Sequence, residues 1–236
     1  MKVKLIAHTP DPDALAGAAA RSCRSRRAAD EILKEDRSKL LQSLEVCVGR
    51  GHESVIEHAS FTFSVEGVSR ACTHELVRHR IASYSQQSQR AVKLEKSYVV
   101  PPTISRDREA EKIYLAAMDA AWRDYLALID RGIPVEDARY VLPNAATANI
   151  VVTMNARSLL NFFKLRCCTH AQWEIRELAY EMLKLVKKVA PKIFERAGPS
   201  CVVDGRCPEK DESCPLYPKK SVILNQGDGA ASRWKS

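Results

Sequence analysis

Between Ala59 and Glu66 the chain alternates without a break. Ala59, Phe61, Phe63 and Val65 are apolar, and Ser60, Thr62, Ser64 and Glu66 are polar. This period of two commits the segment to a strand with one buried face, because a helix would scatter the same residues around its circumference. Such a strand needs partner strands and a cover for its apolar side. Val3, Leu5 and Ala7 predict one partner near the start of the chain, and Thr147 to Met154, with Ile150, Val151 and Val152, reads as a buried strand.

Helical periods supply the cover. Asp11 before Pro12 reads as an N-cap with proline at the first helical position, and the alanine-rich stretch from Asp13 to Cys23 continues it. A second helix is predicted from Asp30 to Val48, with Leu33, Leu40, Leu44 and Val48 on one side and Gly49 and Gly51 ending it. Helical spacing returns from Val68 to Arg80. After the break at Pro101-Pro102 the alanine-rich, charged stretch from Asp107 to Asp130 also reads as a helix, ended by Gly132 and Pro134. Thr169 and Gln172 read as a capping box for a long helix in which Trp173, Ala179, Met182, Val186, Ala190 and Ile193 face a core or a subunit contact. Lys184, Lys187, Lys188 and Lys192 form its solvated face. The expected fold is α+β: a single domain with a mixed or antiparallel sheet flanked by long helices, over residues 1–197. Periodicity is lost from Gly198, so 198–236 is expected to be a loop-rich tail rich in cysteine and proline, disordered at its end.

Composition narrows the partners. The 236 residues suit one large domain, and the net charge of +8 favours anions: nucleic acid, acidic lipid, nucleotides or folates. A nucleic-acid binder is supported by charge alone, since no helix-turn-helix, zinc-finger or RNP motif is present. No apolar run is long enough to span a membrane and the start is not a signal peptide. Eight cysteines, two of them adjacent at Cys167 and Cys168, then read as thiols of a reduced cytoplasmic protein.

Three clusters can carry chemistry. The first is RHRIASYSQQSQR, residues 78–90. Consecutive helical side chains point about 100° apart, so Arg78, His79 and Arg80 cannot share one solvated face, and a helix end that fans them around a ligand fits better. The run of Ser83, Ser85, Gln86, Gln87, Ser88 and Gln89 can wrap a phosphate while Arg90 clamps it, although a charged surface loop has the same composition. The second is GHESVIEH, residues 51–58. Its histidines, His52 and His58, are six apart, which breaks the i, i+4 spacing of a helical zinc site, and a polar loop is the simpler reading. The third joins Arg139 to NARSLLNFFKLRCCTH, residues 155–170. Arg157 and Asn161 face one way if that segment is helical. Its arginines, set among Leu159, Leu160, Phe162 and Phe163, call for a bound anion, a uracil edge or a structural carboxylate.

Together these clusters resemble the flavin-dependent thymidylate synthases. The family signature, Arg-His-Arg, seven residues, then Ser, is met by Arg78, His79, Arg80 and Ser88, with Ser83 and Arg90 also in place. GHESVIEH with the following FTF is similar to the family's flavin-contact region. ARYVLPNA, TMNARSLLNFF, LRCC and AQWEIR are similar to its C-terminal half, so the resemblance covers residues 1–200.

The resemblance implies FAD-dependent C5 methylation of dUMP to dTMP. Methylenetetrahydrofolate is the carbon donor, NADPH reduces the FAD and tetrahydrofolate is released. Reduced flavin takes the place of the cysteine nucleophile of the other synthase class. The resemblance puts Ser54, Arg78, His79, Arg80, Gln86, Asn155, Arg157 and Asn161 at FAD. It puts Glu75, Arg78, Gln86, Gln87, Ser88, Gln89, Arg90 and Arg139 at the nucleotide, Arg166 on the uracil ring as the catalytic group, and His52 on the folate face. It further implies a homotetramer with active sites shared between subunits, and no nucleic-acid or membrane partner.

Three positions depart from the family: Ala91 replaces a usual tyrosine, Glu75 a usual glutamine and Arg24 a common aromatic. One branch of the family methylates UMP for antibiotic nucleosides, so UMP is the alternative substrate. A member that only binds nucleotide is a further one. No metal ligand set is assigned. Cys201, Cys207 and Cys214 lack the C-x2-C spacing of ordinary zinc sites, and a structural metal there would take Cys23 or a histidine as fourth ligand. Cys167 and Cys168 read as packed thiols.

Overall fold

A computed structural model describes residues 1–218; the expected disorder of the tail's end lies outside them. Four strands, β1 (Lys2–His8), β2 (Ser60–Ser69), β3 (Ser83–Gln86) and β4 (Thr147–Asn155), form one antiparallel sheet in the order β1-β2-β4-β3. Helices α1 (Pro12–Ser22), α2 (Ala29–Ile32) and α3 (Arg37–Gly49) precede β2, and α4 (Arg70–Leu76) follows it. Then come α5 (Pro102–Ser105), α6 (Arg108–Asp130) and α7 (Val135–Ala138), and after β4 α8 (Ala156–Arg166), α9 (Trp173–Val189) and α10 (Ser200–Val203). No helix among the described residues is long and apolar enough to cross a membrane.

The alternation along β2 fixes the core. Phe61, Phe63 and Val65 of β2 and Ile150, Val152 and Met154 of β4 are buried on one face, under α8 and α9. On the other face Thr62 and Thr153 pair their hydroxyls at 3.0 Å, and Val151 is 37% exposed. The segment from Thr147 to Met154 is therefore half-buried and not a strand covered on both sides. The central helix α9 buries Ile175, Leu178, Ala179, Met182 and Val186. Trp173 is only half-buried, because it opens the helix at its rim.

Several predicted boundaries shift for identifiable reasons. The helix predicted over residues 30–48 is two: Asp36 accepts from the Ser38 amide at 2.7 Å and starts α3 afresh, leaving Leu33 45% exposed in the turn. The helix predicted over 68–80 is short. Gly67, at φ +71°, lets β2 bulge between Val65 and Val68 and continue to Ser69, which caps α4. The Thr169–Gln172 capping box does not form. Gln172 caps α9 itself, accepting from the amides of Glu174 and Ile175.

Two buried carboxylates tie distant segments. Glu174 accepts from the Ser69 amide at 2.7 Å and from its hydroxyl, joining α9 to the start of α4. Asp13 accepts from the amides of Lys192 and Ile193 at 3.0 and 3.1 Å, and burial raises its pKa above the ordinary carboxylate value. α1 crosses α3 at Gly17, where a Cβ would stand 2.2 Å from the Leu40 carbonyl oxygen. Gly17→Ala therefore forces two backbones apart, and we expect a loss of about 1–3 kcal/mol, read as a lower urea midpoint with an unchanged slope.

Candidate active site

The antiparallel register brings the motifs together. β4 ends at Asn155 and turns directly into α8, with the Asn155 side chain capping the helix by accepting from the Ser158 amide at 2.9 Å. The chain leaving α4 returns through Arg78, His79 and Arg80 to β3, whose first residue, Ser83, pairs with Thr153 near that same end of β4. The Arg-His-Arg segment thus stands beside α8, and a cavity of about 1050 Å³ opens between them. Arg78, His79, Arg80, Asn155, Arg157, Asn161 and Arg166 all line it.

The cavity is cationic. Arg78, Arg80, Arg157, Lys164 and Arg166 face Glu53 and Glu57. Both carboxylates are taken up by Arg157, which pairs with Glu57 at 2.5 Å and with Glu53 at 3.4 Å, and these pairs raise the guanidinium pKa further. Lys164 pairs with Asp204 at 3.0 Å. Arg78 and Arg80 have no ion pair among the described residues, so the cavity holds surplus positive charge. A volume at the upper end of that of ordinary ligand pockets, walled by unpaired arginines and the amides of Asn155 and Asn161, fits a dinucleotide with its pyrophosphate.

Arg166 closes the inner end. Its Nε donates to His79 Nε2 at 3.0 Å, and its NH1 donates to Glu75 Oε2 at 3.2 Å. Burial first, and then the Arg166 charge, lower the His79 pKa to about 4, so the ring is neutral and its proton sits on Nδ1. The ring also packs edge-on against Phe162 at 4.9 Å. No activated thiol serves this site: burial, then Glu174 and Glu75, push the Cys72 thiol far above its ordinary value, and burial pushes Cys167 to about 12.

The remaining predicted residues lie elsewhere. Ser54 and His52 are exposed on the short 3₁₀ helix and its cap that carry Glu53 and Glu57. Gln86 turns inward and donates to Thr73 Oγ1 at 3.0 Å, and Gln87 pairs with Asn149 along the sheet. Residues 83–86 are thus strand β3, where the sequence suggested a wrapping loop. Ser88 Oγ accepts from the amides of Arg90 and Ala91, making a tight turn. Arg90 reaches the Glu136 carboxylate at 3.5 Å, and Arg139 donates to the Glu136 carbonyl at 3.0 Å, so a second cationic group forms outside the cavity. Arg70 belongs to it: burial and then the nearby Arg139 lower its pKa. Nothing in the pattern of residues marked Arg70, or the pairing of Glu53 and Glu57 with Arg157. Gln89 Nε2 is buried without a partner among the described residues, an orphan donor next to this group in the chain.

The sheet and the helices make a fold already seen in a solved structure. A crystal structure of a UMP/dUMP methylase from Streptomyces cacaoi, bound with 5-Br dUMP, matches with a TM-score of 0.71 over 82% of this chain and 93% of that one, at 24% identity. The family model described as thymidylate synthase complementing protein matches residues 4–192. The flavin-dependent thymidylate synthase of Geobacter sulfurreducens is 53% identical over 218 residues, 91% of this chain and 94% of that one. That of Clostridium tetani is 49% identical over 232 residues, 91% of this chain and 93% of that one. The chain belongs to the flavin-dependent thymidylate synthase family.

His79 sets a pH dependence. Its folded pKa is lowered to about 4 from an ordinary 6.5, so the unfolded chain binds more protons between those values. The stability gained by holding the ring neutral is complete above pH 6.5 and is lost as pH falls toward 4. Urea unfolding across that window should show a shallower decline for His79→Gln than for the unaltered protein.

Proposed function

We propose that this chain methylates C5 of dUMP to give dTMP, with methylenetetrahydrofolate as carbon donor, NADPH as the reductant of bound FAD, and tetrahydrofolate as product. The carrying observation is the cationic cavity built by Arg78, His79, Arg80, Asn155, Arg157, Asn161 and Arg166. FAD, once reduced, supplies the electrons that turn the transferred methylene into a methyl group. Arg78 and Arg80, free of ion pairs among the described residues, hold its phosphates. Arg157 is already neutralised by Glu53 and Glu57, so it orients rather than attracts.

Arg166 meets the uracil ring. Its guanidinium is directed by neutral His79 and by Glu75, and it stabilises charge that develops on the pyrimidine oxygens and N3 during methylation. Ser88, Arg90 and Arg139, with Gln87 and Gln89 beside them, take the nucleotide phosphate and ribose. Gln86 reaches this site only by leaving Thr73, and His52 lies on the folate side. Within one chain this second cationic group stands apart from the cavity. That separation supports a homotetramer in which one subunit's nucleotide-binding residues complete another's flavin site. Residues 1–197 carry the activity and the described residues from 198 to 218 form a tail outside it, in a cytoplasmic protein without a nucleic-acid or membrane partner.

The test is anaerobic turnover with FAD, NADPH and methylenetetrahydrofolate, given dUMP or UMP, with products weighed by mass spectrometry. A one-carbon gain on dUMP is expected. A gain on UMP alone would replace the dUMP reading with the ribonucleotide one, and no gain on either would overturn both. Arg166→Ala should lower turnover about 10²–10³-fold while flavin stays bound, the usual cost of removing one preorganised donor. Glu75→Gln should alter the dUMP/UMP preference, and an unchanged preference would restrict Glu75 to directing Arg166.

A further inference from the structure

The turn over residues 77–82, between α4 and β3, carries Arg78, His79 and Arg80 to the cavity, yet it has little packing of its own. Val77 and Ile81 are 40% and 77% exposed, Arg78 and Arg80 are exposed, and only His79 and Ala82 are partly covered. Its backbone is thinly bonded too. The His79 amide donates to the Leu76 carbonyl at 3.1 Å as α4 runs out, and among the described residues no backbone amide reaches the His79 carbonyl. A segment with few buried contacts and few backbone bonds opens easily, and it cannot by itself hold three site residues in one geometry.

The tie comes from β3. Ser83 and Ser85 are its exposed side chains, and Tyr84 and Gln86 are its half-buried ones. Both of the latter reach back to α4 and its exit. Gln86 donates to Thr73 Oγ1 at 3.0 Å, and the Tyr84 hydroxyl points at two carbonyls at once, that of Leu76 at 2.9 Å and that of His79 at 2.8 Å. A hydroxyl has one proton, so this is a three-centre bond, and it bridges the end of α4 to the middle of the Arg-His-Arg triplet. Tyr84 itself is well held. It pairs with Val152 of β4 and packs against the main core. Burial pushes the phenol pKa up to about 12, so the proton that makes the bond stays in place.

We propose that Tyr84 is a positioning residue of this site: its hydroxyl fixes the backbone of the Arg-His-Arg turn, so that Arg78 and Arg80 face the flavin phosphates and the His79 ring meets Arg166. The first half rests on the reading of the cavity as the FAD site. The second stands on the bond from Arg166 Nε to His79 Nε2 at 3.0 Å, whatever the cavity holds. Tyr84 does not line the cavity and acts only through the turn. With the hydroxyl gone, the turn has to be ordered each time a ligand binds, and that ordering weakens binding. The His79 ring, no longer held by its own backbone, loses its register with Arg166 and gains water.

The test compares Tyr84→Phe with Tyr114→Phe in the full chain. Tyr114 also donates its hydroxyl to a carbonyl, that of Val99, but does not line the cavity, so its loss removes a like bond and leaves the turn alone. The His79 ring is followed by NMR of histidine-labelled protein without flavin, and FAD affinity by flavin fluorescence. Tyr84→Phe should move the His79 pKa up from about 4 towards the ordinary 6.5. It should also weaken FAD binding about tenfold, the scale of one hydrogen bond. Tyr114→Phe should change neither. Replacing Tyr84 by p-aminophenylalanine, which keeps an N–H donor at the tip of the ring, should restore both. An unchanged His79 titration in Tyr84→Phe would overturn the proposal, as would FAD affinity left unchanged in a protein that binds FAD. The same changes in Tyr114→Phe, or no restoration by p-aminophenylalanine, would overturn it too. If the unaltered protein binds no FAD, the reading of the function falls, and the His79 titration alone decides the role of Tyr84.

Discussion

The β2–β4 ladder is the constraint on which the rest depends. Its two strands pair from Ser60↔Asn155 to Ser69↔Thr147, and their apolar halves make the floor of the core. A slip of one residue would turn Phe61, Phe63, Ile150 and Val152 to the open face together, so burial holds the register. Because the register is held, the start of α8 and the return of the chain into β3 come to one end of the sheet. The site is therefore an end-of-strand site, built from the two junctions β4–α8 and α4–β3. Neither strand contributes more than one or two cavity residues, yet their pairing decides where all the others stand.

Charge organises that end in two stages. Carboxylates near the rim quiet Arg157 and leave Arg78 and Arg80 open to an anion. Deeper in, Arg166 sits at the C-terminus of α8, where the helix dipole favours a cation, and is gripped by a carboxylate and a neutral imidazole. A charged His79 would repel the arginine it now accepts from. Burial keeps that ring neutral, so the hydrophobic packing of Phe162 and the aim of Arg166 are parts of one arrangement.

Features with a local cause were legible in the sequence. Alternation gave β2, an alanine-rich charged stretch gave α6, apolar periodicity gave α9, and Asp11 and Asp107 cap the helices they were expected to begin or precede. The Arg-His-Arg motif and the Asn155–Arg166 segment, read as separate clusters, line a single cavity. What stayed hidden depends on partners far along the chain. β3 is polar and four residues long, and only β4 makes it a strand. The Gly67 bulge, the break before α3 and the choice of Gln172 over Thr169 as a cap each turn on one residue's geometry within a pattern that permits both outcomes. Arg157 could be seen to need an anionic or polar partner, but not that Glu53 and Glu57, about a hundred residues earlier, would provide it.

The clamp at Asp13 has a consequence for how the chain comes into being. Its carboxylate is buried in the finished fold and accepts from amides 179 and 180 residues further on. During synthesis α1 emerges early, but the groups that satisfy Asp13 leave the ribosome only when nearly the whole catalytic unit has been made. Until then this end of α1 can dock only by burying an unpaired acid, so the first helix to be made is held back from final packing until the last long helix is complete. A single carboxylate near the N-terminus thus acts as a timer, making closure of the core wait for its other end.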